Sequence, residues 1–213
     1  MFNEFPLNKR YLFWRWGRQA SDEEIALAAR GLIATRDTKR QRAHLWIFWE
    51  GRFPLDPSTL FPLVDVEEDG VGFAAMDVLA NISHPGIRAL AFRLVDTRAK
   101  RRGDAIDLIA QNYEPGDHQV VLQWFQDEED CETLHSFGVD LLKFWKQHPN
   151  EETEIPMLLS LYEKGPCSFC RERTVSRLLE LGALPDELRA ECAWDANDEI
   201  RGLVAQESTS PSS

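Results

Sequence analysis

The chain has 213 residues, 43% hydrophobic and 28% charged, too apolar for an intrinsically disordered polypeptide and long enough for one large packed domain or two small ones. Its formal net charge of -12 is uneven, with nine Lys/Arg against six Asp/Glu in residues 1–50 and fifteen against thirty in the remainder, so the acidic remainder repels nucleic acid and anionic membrane. No apolar run approaches the roughly 18 to 20 residues of a spanning helix, the N-terminus lacks a basic-then-apolar leader, and four cysteines are too few for a disulfide scaffold; a cytoplasmic protein with no membrane partner is expected.

The elements predicted in chain order are helices. Tyr11, Phe13, Trp14 and Trp16, interleaved with Arg10, Arg15 and Arg18, form a short helix suited to covering the end of a helical stack. Ser21 with Glu24 reads as a capping box ahead of an apolar face at Ile25, Ala28, Ala29, Leu32 and Ile33. Val71, Ala74, Ala75, Val78, Leu79 and Ile82 repeat that spacing, and Pro85 opens another helix with the face Ile87, Leu90, Ala91, Leu94 and Val95.

The second half continues the pattern. The acidic stretch Asp127, Glu128, Glu129, Asp130 and Glu132 caps a helix beginning near Cys131. That helix carries Leu134, Phe137, Gly138, Leu141, Leu142 and Trp145 on one face, and Ile155, Leu158, Leu159 and Tyr162 mark the next. Short breaker clusters separate all of these, so antiparallel neighbours are expected. No run alternates as a strand would.

Three groups are candidates for chemistry. Arg88, Arg93, Arg98, Lys100, Arg101 and Arg102 form the densest basic cluster, and Arg36, Lys39, Arg40 and Arg42 a second; stacked on one edge they would make a stripe able to hold phosphates. Against this, cations gather at helix C-termini for electrostatic reasons alone. Tyr113, Asp117 and His118 surround the Pro115-Gly116 turn, a place for a ligand or simply a satisfied turn. Cys167 and Cys170 form the only Cys-x-x-Cys, in a first helical turn whose amides favour a thiolate. A redox motif of this type should follow a strand, and zinc needs two more ligands, for which the sequence offers only the distant Cys131, Cys192 and scattered histidines. Packing cysteines, with no metal bound, are therefore expected. No catalytic set and no cofactor are expected.

Two segments share more than periodicity: Pro85-Gly86-Ile87-Arg88-Ala89-Leu90-Ala91 and Asp198-Glu199-Ile200-Arg201-Gly202-Leu203-Val204. A polar or proline-containing turn followed by Ile-Arg and an apolar ridge resembles HEAT and HEAT-like (PBS-lyase HEAT-like) repeats. The segments 112–117 and 166–172 are similar to those of uncharacterised bacterial HEAT-repeat proteins. The resemblance implies an all-α superhelix, or α-solenoid, of antiparallel helix pairs over residues 1–206, followed by a disordered tail at 207–213. It also implies a non-enzymatic module with a protein partner. One alternative is a nucleic-acid-binding protein or a base-excision enzyme of the alkylpurine-glycosylase type, for which Trp46, Trp49 and Trp124 would stack on bases and Asp117 or Asp127 would stabilise a sugar cation; nucleic acid is disfavoured by the net charge. A second is a chromophore or small-molecule lyase of HEAT-like type.

Overall fold

The computed structural model describes residues 9–165 and 167–207, and among them the chain forms thirteen α-helices and no strand. Most of the expected tail, residues 208–213, lies outside the described residues. No helix among the described residues is long and apolar enough to cross a membrane. The chain divides into two compact units, one ending at Glu114 and the other beginning at Pro115.

The first unit holds α1 (Arg10–Gln19), α2 (Asp22–Ala34), α3 (Thr38–Leu45), α4 (Phe61–Val64), α5 (Val71–Leu79), α6 (Pro85–Asp96) and α7 (Ala105–Gln111), with 3-10 turns at Trp46–Phe48, Pro57–Leu60, Glu68–Gly70 and Arg102–Asp104. The capping box at α2 is complete: the Glu24 amide donates to Ser21 Oγ at 3.3 Å and the Ser21 amide to Glu24 Oε2 at 2.9 Å. Ile25, Ala28, Ala29 and Leu32 are buried, but Ile33 is 48% exposed. Eight residues of α-helix rotate it about 80° from Ile25, onto the edge of the stripe.

In α6, His84 caps the helix through Nδ1, which accepts from the Gly86 amide at 3.1 Å, and Pro85 fills the first helical position, where its missing N–H costs nothing. Ile87, Leu90, Ala91 and Leu94 are buried, and α6 packs along α7.

The second unit holds α8 (Asp117–Gln126), α9 (Cys131–Gln147), α10 (Glu151–Lys164), α11 (Ser168–Glu180), α12 (Asp186–Cys192) and α13 (Asp198–Glu207). Asp130 caps α9, its carboxylate accepting from the Thr133 amide at 3.0 Å and hydroxyl at 2.7 Å. Helices α10 and α11 pack side by side; alternate helices also meet, α8 on α10, α9 on α11 and α11 on α13.

The inward stripe of α10 is Met157, Leu158, Leu161 and Tyr162, whereas Ile155 and Leu159 are half-buried. Two polar anchors set this rotation. Trp145 Nε1 donates to Thr153 Oγ1 at 3.3 Å, and Arg177 grips the carboxylate of buried Glu154 at 2.7 and 3.3 Å. A polar pair inside the stripe hides its true phase from a hydrophobicity pattern.

Candidate functional site

Four of the six residues of the first basic cluster have partners inside the first unit. Arg88 lies 3.3 Å from Glu114 and donates to the Asn112 carbonyl at 3.3 Å. Lys100 pairs with Glu67 at 2.9 Å, and Arg102 donates to the Ala99 carbonyl at 3.3 Å. Arg101 is 8% exposed and donates from Nε to the Val64 carbonyl at 2.9 Å. Arg93 and Arg98 are exposed.

The acidic stretch 67–69 takes a contact from the start of α3 and another from the first basic cluster. The Thr38 hydroxyl, beside Lys39, donates to Asp69 at 2.6 Å, and Lys100 pairs with Glu67 at 2.9 Å. Arg36, Lys39 and Arg40 of the second group are exposed, as are Arg93 and Arg98 of the first.

The aromatic and acidic residues considered for base excision also have internal partners. Trp46 is buried beneath Arg42, at 5.0 Å, and Trp49 is covered by the Arg10 guanidinium, 3.6 Å from the ring centre. Asp127 is exposed and accepts from the Gln123 amide group at 2.7 Å.

The turn residues fall on different sides of the unit boundary. Tyr113 is half-buried in the first unit; Asp117 and His118 open α8 in the second and are both buried. Nε2 of His118 lies 2.7 Å from the His148 carbonyl, and its ring meets Phe144 and Trp145 edge-on with centroids at 5.3 and 5.4 Å. This imidazole locks the end of α9 onto α8.

A different set converges in the second unit. Cys167 immediately precedes α11 and Cys170 lies in its first turn. From α9, His135 reaches across so that Nδ1 stands 3.7 Å from Cys170 Sγ. The two sulfurs and one imidazole nitrogen all lie within 4.8 Å of one another. Gly138, one turn beyond His135, makes the approach possible: a Cβ there would stand 2.8 Å from Leu161 Cδ1 and 3.7 Å from Cys170 Sγ.

The two thiols differ electrostatically. The Cys170 amide directed at Cys167 sulfur, helped by the Phe169 amide, the Cys170 thiol and Arg173, holds the Cys167 thiol below the ordinary cysteine range. Burial pushes the Cys170 thiol up to about 11, with the neighbouring Cys167 adding to the rise. A half-buried, polarised sulfur beside a buried one, facing an imidazole, is a soft donor set of the type that binds zinc or forms a disulfide. The sequence placed both cysteines at a helix start but gave no reason to select His135, 35 residues before Cys170.

Compared with known proteins, the chain matches no family model, no curated protein and no solved structure.

Proposed function

We propose that the protein is a non-enzymatic interaction module of the cytoplasm, a HEAT-like solenoid of antiparallel helix pairs that docks a protein partner through its second unit. The observation that carries this reading is Trp194, 90% exposed in the turn after α12. A tryptophan left in water forgoes a large burial gain, and such rings are the usual anchors of protein interfaces. Phe169, 70% exposed, adds a second ring. The two emerge from linked backbone, because Arg171 of α11 pairs with Asp195, the neighbour of Trp194, at 3.0 Å.

The contacts of alternate helices support the solenoid reading. In stacked helical hairpins each helix meets its own hairpin partner and the equivalent helix of the next hairpin. The series α8–α10, α9–α11 and α11–α13 follows that rule.

The test is affinity purification of the full chain from its own cell extract, alongside Trp194→Ala/Phe169→Ala and Arg93→Glu/Arg98→Glu variants of matched thermal stability. A stoichiometric protein partner that is lost with the aromatic pair and kept with the charge reversals is the expected result. Recovery of nucleic acid, released steeply by salt and abolished by the charge reversals, would replace this reading with the phosphate-binding one.

A further inference from the structure

We propose that the second unit binds one zinc ion in a closed tetrahedral site formed by Cys131, His135, Cys167 and Cys170. The separation of His135 Nδ1 and Cys170 Sγ, 3.7 Å, matches the roughly 3.6 Å that separates nitrogen and sulfur on a tetrahedral zinc with its usual bond lengths. With Cys167 the structure already assembles three donors.

The fourth follows from helix register. Alongside each other, α9 and α11 run in the same direction: His135 meets Cys170, while Leu142 and Trp145 line one groove with Arg173 and Arg177 further along. One turn back from Cys170 is Cys167, and one turn back from His135 is Cys131, the first residue of α9. Residues four apart on a helix present side chains about 5 to 6 Å apart on the same face. Cys131 is exposed and its sulfur stands outside the three-donor group, so metal binding requires its side chain to turn toward the other three donors.

Charge balance suits the ion. Binding releases the three thiol protons, the imidazole coordinates as the neutral ring through Nδ1, and the resulting centre carries one negative charge. That charge sits at the N-terminal ends of two parallel helices, whose free amides stabilise anions, with Arg173 electrostatically coupled to both Cys167 and Cys170. Cys192, the remaining cysteine, is buried elsewhere against the Tyr162 hydroxyl at 3.6 Å and takes no part. The ion ties the start of α11, and with it Phe169, to α9; the site stands whether or not that surface binds a partner.

The decisive experiment titrates the reduced, chelator-stripped full chain with Co2+, then displaces it with Zn2+. One equivalent should give the intense visible bands of tetrahedral cobalt and a thiolate charge-transfer band, both bleached by zinc. Cys131→Ser and Cys167→Ser should each remove about one third of the charge-transfer intensity, three thiolates becoming two, while Cys192→Ser retains it and His135→Ala keeps the intensity but binds at least tenfold more weakly. X-ray absorption of the zinc-loaded wild type should count three sulfurs at about 2.3 Å and one nitrogen at about 2.0 Å, a measurement independent of how any variant folds. Failure of the reduced protein to take up cobalt, a six-coordinate spectrum, a spectrum indifferent to Cys131→Ser, or a Cys167–Cys170 disulfide in protein isolated anaerobically with zinc would each overturn the proposal.

Discussion

The guanidinium carbon of Arg101 lies 3.7 Å from the centre of the Phe73 ring, and its Nε donates to the Val64 carbonyl at 2.9 Å. Phe73, 62% exposed, is thus the outer wall of a slot that holds a cation against the end of α4. Burial lowers the affinity of this guanidinium for its proton, and Asp104, Glu67 and Asp65 oppose that effect. Arg101→Ala should destabilise the first unit by about 2 to 3 kcal/mol, the range for a lost charged hydrogen bond with its packing. Arg98→Ala, by contrast, removes an exposed side chain and should change stability by less than about 0.5 kcal/mol. Urea unfolding of the two variants separates them; equal effects would mean that Arg101 is a surface residue in solution.

Gly72 belongs to the same slot. A Cβ at this position would lie 2.4 Å from Arg101 Nε and 2.4 Å from the Val64 carbonyl oxygen. The guanidinium can shift, but the carbonyl belongs to the backbone, so Gly72→Ala is expected to cost about 1 to 3 kcal/mol despite the better helix propensity of alanine. A thermal melt of this variant matching wild type would show that α4 and α5 pack less closely than described.

His118, which the sequence places at a turn that could bind a ligand or simply be satisfied, is buried in the second unit. With Nε2 at the His148 carbonyl and the ring against Phe144 and Trp145, His118→Ala leaves a cavity and removes the contact to that carbonyl. A loss of about 2 to 4 kcal/mol from the second unit is expected. The Co2+ titration curve of the refolded variant should coincide with that of wild type, since the proposed metal donors lie on the other end of α9.

What the sequence made legible was local. The capping box at Ser21, the proline start at Pro85 and the carboxylate cap at Asp130 depend on residues within four positions of one another, and all form as expected. Where every inward position was apolar, the faces were legible except at edge positions such as Ile33; the phase shifted in α10, where Glu154 points inward because Arg177, 23 residues later, neutralises it. The same limit applied to the candidate sites. Clustering in sequence drew attention to Arg88 through Arg102, whose partners Glu67, Val64 and Glu114 cannot be found by spacing. His135 was hidden for the converse reason: its neighbours Cys167 and Cys170 arrive from another helix, and only the register of α9 and α11 brings them together.

Asp195 supplies a pH-dependent contribution to the second unit. Its Oδ1 accepts from the Asn197 amide at 2.8 Å and its Oδ2 pairs with Arg171 at 3.0 Å. The Asn197 amide foremost, and then Arg171 and Arg201, hold its carboxyl below the ordinary aspartate value. A carboxyl whose affinity for protons is lower in the folded than in the unfolded chain stabilises the fold at every pH above the unfolded value, and loses that contribution as pH falls through the folded one. Asp195→Asn preserves the acceptor facing Asn197 but removes the anion facing Arg171, so it should cost about 1.5 to 3 kcal/mol near neutral pH. The gap between variant and wild type should then narrow below about pH 4, as the wild-type carboxyl becomes protonated in both states. Urea unfolding of the two proteins from about pH 7 down to about pH 3 reads this directly, and a gap that stays constant across the range would mean that the Arg171 pair contributes nothing electrostatic to the fold.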